Sequence, residues 1–240
     1  RAARGSRASE RVLLMVATQL LYGLYCSGGF PVSAPIRKTP WSMAVSAPNS
    51  SAARLLVWAL LAAPMAWMLF GYASDRIFYG ELLHASGELS ARLLILTLAI
   101  TPLRLMFPGS TWTNWLHRQR RYLGVASFAY AFLHTAVYIE RKQSLSLILD
   151  EAGEFYMWTG WPALLLFAVL ALPSNDAAAR RLKKIWKKLH RWVYAAALLT
   201  FLHWIFSAFD FVPGLVHLGV LVTLEAYRVW KQSRLRRAVP

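Results

Sequence analysis

Six nearly unbroken apolar stretches, at 53–72, 89–107, 122–139, 156–172, 189–209 and 212–230, alternate along the chain with short segments that carry most of its charge. Each is about 17–20 residues long, the length a helix needs to cross a hydrocarbon layer roughly 30 Å thick. None shows the period-2 alternation of a strand, and in lipid only helices or closed barrels satisfy their own backbone. The pattern predicts an all-α integral membrane protein, a six-helix transmembrane bundle occupying 53–230. Pro64, Pro102, Gly124, Gly160 and Pro162 fall inside the runs, where spanning helices tolerate them better than soluble ones do.

The flanks read differently. Residues 1–42 form a basic and apolar leader, with Arg1, Arg4, Arg7 and Arg11 ahead of an apolar run. It is signal-like, with Val32-Ser33-Ala34 as a small-residue cleavage site. Alternatively it is an extra membrane segment, or a stretch outside a natural protein that starts at Met43; the last is favoured because the remainder is self-sufficient. Residues 43–52 read as a short polar tail and 231–240 as a basic one.

Charge orients the bundle. Segments after the second, fourth and sixth runs hold Arg104, Arg118, Arg120, Arg121, then Arg180 through Arg191, then Arg228 through Arg237. Segments after the odd runs hold only Arg76, Arg141 and Lys142 as cations, among acids such as Glu88, Glu140, Glu151 and Glu154. The positive-inside rule then places both ends of the six-helix unit in the cytoplasm. A net charge of +16 would suit nucleic acid, but a chain that is 57% hydrophobic and carries several spanning runs argues for membrane lipid and against nucleic acid. The single cysteine, Cys26, excludes an internal disulfide, a CxxCH haem attachment and cysteine-ligated clusters.

Two histidines stand inside the apolar runs. His134 lies 13 residues after Arg121, and His203 lies 13 residues after His190. At 1.5 Å per residue both reach about 20 Å from the cytoplasmic face, and so share one level in the outer half of the bilayer. Ionisable side chains at that depth are costly without a partner. Two unrelated histidines would each need a separate one; a haem iron gripped between them serves both. His190 sits beside a basic cluster at the cytoplasmic face, and a straight helix does not aim it the same way as His203. Taken alone, it reads as an interfacial residue.

Three segments carry a resemblance: His84-Ala85-Ser86-Gly87 leading into Leu96 through Leu103; Arg120-Arg121-Tyr122-Leu123-Gly124 with Ala131-Phe132-Leu133-His134; and Trp186-Lys187-Lys188-Leu189-His190 with Val193-Tyr194 and His203. In order and spacing they resemble the ferric reductase-like transmembrane domain. Within it they are most similar to the haem-binding membrane subunits of bacterial periplasmic methionine sulfoxide reductase systems. The resemblance implies one haem b, or two, held without covalent attachment, with His134 and His203 as axial ligands of the outer one. Ferric reductases carry a second histidine pair, and here Arg120 stands where one member would be. His190 and Arg120 are thus implied as an inner haem or flavin (FMN) site, Arg120 holding a propionate or a flavin phosphate. Arg92 is expected either to snorkel to the outer headgroups or to pair with an outer haem propionate, and His84 either to lie at the interface or to make a secondary contact to that haem. The resemblance also implies a bacterial inner-membrane location. His217 reads as packing or interfacial, and His117 as a solvated loop residue.

No GxGxxG follows a strand pattern, so the chain reads as a relay and not as a complete reductase. The resemblance implies electrons arriving from quinones, or from a cytosolic flavin reductase through FMN. They would leave to a periplasmic molybdopterin methionine sulfoxide reductase catalytic subunit. A transmembrane reductase of ferric or other metal ions is a second reading, and a haem-free membrane scaffold or transporter a third.

Overall fold

Glu81 shows how local chemistry starts a helix in this chain. Its carboxylate accepts a 3.2 Å hydrogen bond from the Phe78 N–H, one of the donors that a helix start leaves over. Helix α2 (Tyr79–Met106) follows, with Glu81 in its first turn and Arg104 in its last, both favourable to the helix dipole. The computed structural model describes residues 51–237; the leader, all but the last two residues of the polar tail, and the last three residues of the chain lie outside it. Helix α1 (Ser51–Ala73) precedes α2, and α3 (Thr111–Lys142) follows it. Gln143 ends α3 in the left-handed conformation at φ 52°, returning its N–H to the Ile139 carbonyl.

The chain then runs through a short helix α4 (Leu145–Asp150) and a 3₁₀ turn at Glu151–Gly153, and bends by 111° into α5 (Phe155–Ala171). Two short basic helices come next. Asn175 caps α6 (Asp176–Leu182) by accepting from the Ala178 N–H at 2.7 Å, and α7 (Lys184–Leu189) leads into a 3₁₀ turn at His190–Trp192. Helices α8 (Val193–Ser207) and α9 (Val212–Arg237) complete the bundle. Among the described residues there is no strand.

The long helices α1, α2, α3, α5, α8 and α9 coincide with the six apolar runs. Four of them, α1, α2, α3 and α9, are long and apolar enough to cross a membrane alone, and the bent α4–α5 unit makes a fifth candidate. Helix α8 is shorter because the 3₁₀ turn interrupts the fifth run at its basic end. That break supplies the irregularity between His190 and His203 that a straight helix lacks. Helices α2 and α3 start at Tyr79 and Thr111, about three turns before their apolar runs begin. His84 therefore lies within a helix, and His117, Arg118, Arg120 and Arg121 lie in α3, not in a loop. Likewise Ser51 and Ala52 belong to α1 rather than to a polar tail, and residues 231–237 continue α9.

Packing is pairwise. Helix α2 runs along α3 and α5 along α8, while α9 covers α2 and α8 and α1 lies on the α2–α3 pair. Around Leu94, Leu98, Phe128, Phe167 and Phe201 the two pairs share one core, and a second, built from Met65, Leu82, Tyr130, Leu133 and Val137, joins α1 to α2 and α3. Outside, Leu60, Trp67, Phe70, Leu165 and Leu198 stand well exposed. Such apolar walls on helices of this length suit hydrocarbon, not water.

Candidate functional site

His134 projects from α3 between the buried Leu133 and Val137, and its Nδ1 lies 2.9 Å from the Leu83 carbonyl of α2. His203 projects from α8, with Nδ1 2.8 Å from the Tyr156 carbonyl of α5. A carbonyl only accepts, so each Nδ1 carries the hydrogen and each Nε2 keeps its lone pair. Metal-bound histidines are commonly oriented in this way, the non-ligating nitrogen donating to a backbone oxygen.

The two imidazole centroids are 6.0 Å apart, with ring planes at 87°. Two imidazoles sharing one metal, each nitrogen at about 2 Å and each ring centre about 1.1 Å behind it, place their centroids roughly 6 Å apart. The two rings thus have the spacing of a shared metal, and the level inferred from counting residues is common to both.

Each ring also lies against a glycine one turn beyond the carbonyl it bonds. A Cβ built on Gly87 would stand 2.9 Å from His134 Nδ1, and one on Gly160 would stand 2.7 Å from His203 Nδ1. These cradles, open only because a side chain is missing, fit a pair of fixed axial ligands. Among the described residues no cluster of three or more His, Cys, Asp or Glu would hold a bare metal ion. Two imidazoles supply two coordination positions and leave the others to donors from outside the chain.

His190 is placed differently. Its Nδ1 bonds the Trp186 carbonyl at 3.0 Å, its Nε2 meets Ser174 Oγ at 3.2 Å, and the Trp186 indole stacks on it at 3.8 Å. Nδ1 is engaged within the chain, while Nε2 competes with the Leu170 carbonyl, 2.6 Å from Ser174 Oγ, for the one Ser174 hydroxyl hydrogen. Arg120 is half-buried, within electrostatic reach of His190 and of a polar group formed by Tyr194, Glu225 and Arg228. Arg228 bonds Glu225 at 2.8 Å and also reaches the Tyr194 hydroxyl. Nearby in sequence, Lys188, Arg191, Trp192 and Ala195 line an open cavity of about 310 Å³.

His84 and Arg92 share Glu88 on one exposed stripe of α2. Arg92 bonds its carboxylate at 2.6 Å, and His84 Nε2 lies 3.9 Å from it. The Arg92 guanidinium thus bonds within its own helix. His217 bonds the Pro213 carbonyl at 2.7 Å and leans on Trp204 at 5.1 Å, a packing role. His117 is exposed on α3.

One group at the histidine-pair end was not singled out from sequence. Glu151 accepts from the Tyr138 hydroxyl at 2.8 Å and from Lys142, so it ties the turn before α5 to the end of α3. Lys142 and Tyr138 hold the Glu151 carboxyl below the usual carboxylate range.

With this geometry in hand, the comparisons with known proteins are specific. A family described as "Ferric reductase like transmembrane component" matches residues 86–201, a span that contains His134 and His190 and ends just short of His203. The chain is 34% identical over 216 residues to a protein of Xanthomonas axonopodis pv. citri (strain 306), "Protein-methionine-sulfoxide reductase heme-binding subunit MsrQ", covering 82% of this chain and 97% of that one. It is 35% identical over 190 residues to a protein of the same description from Rhizobium meliloti (strain 1021), covering 75% and 86%. No solved structure gives a significant match.

Proposed function

The chain belongs to the MsrQ family of haem-binding subunits, ferric reductase-like membrane proteins, and from that premise we propose that His134 and His203 are the axial ligands of a haem b in a membrane electron-transfer subunit. The observation that carries this reading is the 6.0 Å ring spacing with both Nδ1 atoms committed to carbonyls. Bound there, haem supplies one-electron chemistry through its ferric and ferrous states. The chain's own part is to present two neutral imidazoles, orient them, and surround them with Leu133, Val137 and neighbouring apolar side chains that keep water away.

In this reading six helices cross the bacterial inner membrane, α8 being completed by the 3₁₀ turn before it, with both ends in the cytoplasm as the charge bias favours. The histidine pair lies near the periplasmic side. Electrons enter from quinones, or from a cytosolic flavin reductase through FMN. The cationic cavity beside Trp192 and the Arg120–His190 end would receive an anionic flavin or a second haem. Electrons leave to a periplasmic molybdopterin methionine sulfoxide reductase, a reading supported by relatives described as heme-binding subunits of a protein-methionine-sulfoxide reductase.

The test is a reduced-minus-oxidised spectrum of the purified protein and of His134→Ala and His203→Ala. Each substitution is expected to remove the low-spin b-type signal assigned to this pair. An unchanged haem complement in both variants would overturn the assignment.

A further inference from the structure

We infer that Gly87 and Gly160 are positioning residues that lock the two imidazoles with their planes crossed. The inference rests on the proposed haem ligation and extends it from which residues bind to what fixes their orientation.

The two seats are built alike. In each, a histidine on one helix donates to the carbonyl of residue i on its neighbour, Leu83 or Tyr156. In each, the residue at i+4 is a glycine whose missing Cβ leaves room for the ring, Gly87 or Gly160. A helical carbonyl already serves the N–H at i+4. The imidazole thus approaches over a closed helical turn and shares its oxygen with a hydroxyl at i+3 as well, Ser86 at 3.0 Å from the Leu83 carbonyl or Thr159 at 2.9 Å from the Tyr156 carbonyl. Two unrelated helix pairs, α2–α3 and α5–α8, arrive at this arrangement independently.

A methyl group at either glycine falls well inside ordinary contact distance of Nδ1. That nitrogen is the atom held by the hydrogen bond, so the ring cannot yield without giving the bond up. It would have to turn about χ1 and χ2, changing its plane. Gly80 and Gly219 offer the contrast, since a Cβ at either meets nothing within 4 Å.

Crossed planes have a spectroscopic consequence. Two π-donating imidazoles at right angles perturb two different iron d orbitals equally and leave them nearly degenerate. Parallel rings split them. The 87° angle therefore predicts a strongly anisotropic low-spin ferric EPR signal instead of an ordinary rhombic one. Losing the Nδ1 donation also makes each imidazole a weaker donor, which penalises the ferric state more than the ferrous.

The test uses the full chain purified in detergent with the haem it carries. In the unaltered protein the strongly anisotropic signal is expected. Gly87→Ala and Gly160→Ala are each expected to move that signal toward rhombic and to raise the midpoint potential; a tenfold preferential loss of ferric affinity reads as about 59 mV. Gly80→Ala and Gly219→Ala are expected to change neither. A rhombic signal in the unaltered protein overturns the inference even if the alanine variants fail to accumulate. So do alanine variants at 87 and 160 with unchanged signal and potential. Both results leave the haem assignment standing, whereas a haem-free protein, or retained signal in His134→Ala, sinks the assignment itself.

Discussion

Ser90 on α2 and Ser127 on α3 exchange hydroxyls: Ser90 Oγ donates to the Ser127 carbonyl at 2.9 Å, and Ser127 Oγ donates to the Ser90 carbonyl at 2.8 Å. Both are buried, among the small residues Ser86, Ala91 and Ala126 that let the two backbones come close. The clasp sits seven residues from Leu83 along α2 and seven from His134 along α3, two turns away from the bond that aims the imidazole. It therefore fixes the register in which Leu83 meets His134.

Removing either hydroxyl should loosen that register at modest cost. Ser90→Ala and Ser127→Ala are each expected to destabilise the folded protein by about 1 kcal/mol. The double variant should cost clearly less than the two singles combined, because the bonds form one reciprocal unit. Detergent unfolding followed by circular dichroism, with haem content as a second signal, measures the cycle.

At the opposite end, Arg228→Met should leave Glu225 half-buried without its 2.8 Å partner. A loss of roughly 1–3 kcal/mol is expected, short of the full cost of breaking a deeply buried pair. Glu225→Gln added to Arg228→Met should recover part of it, since no carboxylate then remains uncompensated. Thermal unfolding of the three variants in one detergent checks the order.

Glu151 gives a pH-dependent prediction. Lys142 and Tyr138, with Tyr156 beside them, lower its pKa in the folded protein. A depressed carboxyl pKa contributes stability above the unfolded value of about 4.3, and the contribution disappears as pH falls through the folded value. Glu151→Gln is thus expected to lower the melting temperature at pH 7, and the gap from the unaltered protein should close as the pH drops below about 4. A gap independent of pH would contradict this account.

His190→Ala should leave the signal of the His134–His203 pair in place, because its ring nitrogens face Ser174 and Trp186. Spectra of His190→Ala beside those of His134→Ala make the comparison. Loss of the same signal in both would mean that the two ends of the bundle do not act separately.

Much of this architecture could be read from residue patterns alone. Hydropathy located all six long helices, and counting from Arg121 and His190 put His134 and His203 on one level. It missed where α2 and α3 begin, because Glu81, His84 and Glu88, and then Arg118, Arg120 and Arg121, dilute the apolar signal while the backbone stays helical. The 3₁₀ turn at 190–192 was equally invisible, since nothing in His190-Arg191-Trp192 forbids an α-helix. The partners of the two imidazoles were out of reach for a deeper reason. A backbone carbonyl has no residue identity, so neither Leu83 nor Tyr156 advertises its role. A glycine in a spanning helix reads as tolerated and gives no hint of the ring beside it.

That each imidazole rests on main chain rather than on a swinging side group bears on speed. Helix backbones scarcely shift when a nearby charge changes by one, so the nuclear rearrangement that accompanies electron arrival and departure is kept small. Rapid passage then depends chiefly on how near the donor and acceptor come and on how far their potentials differ. A scaffold of this kind suits the electron-transfer role proposed above.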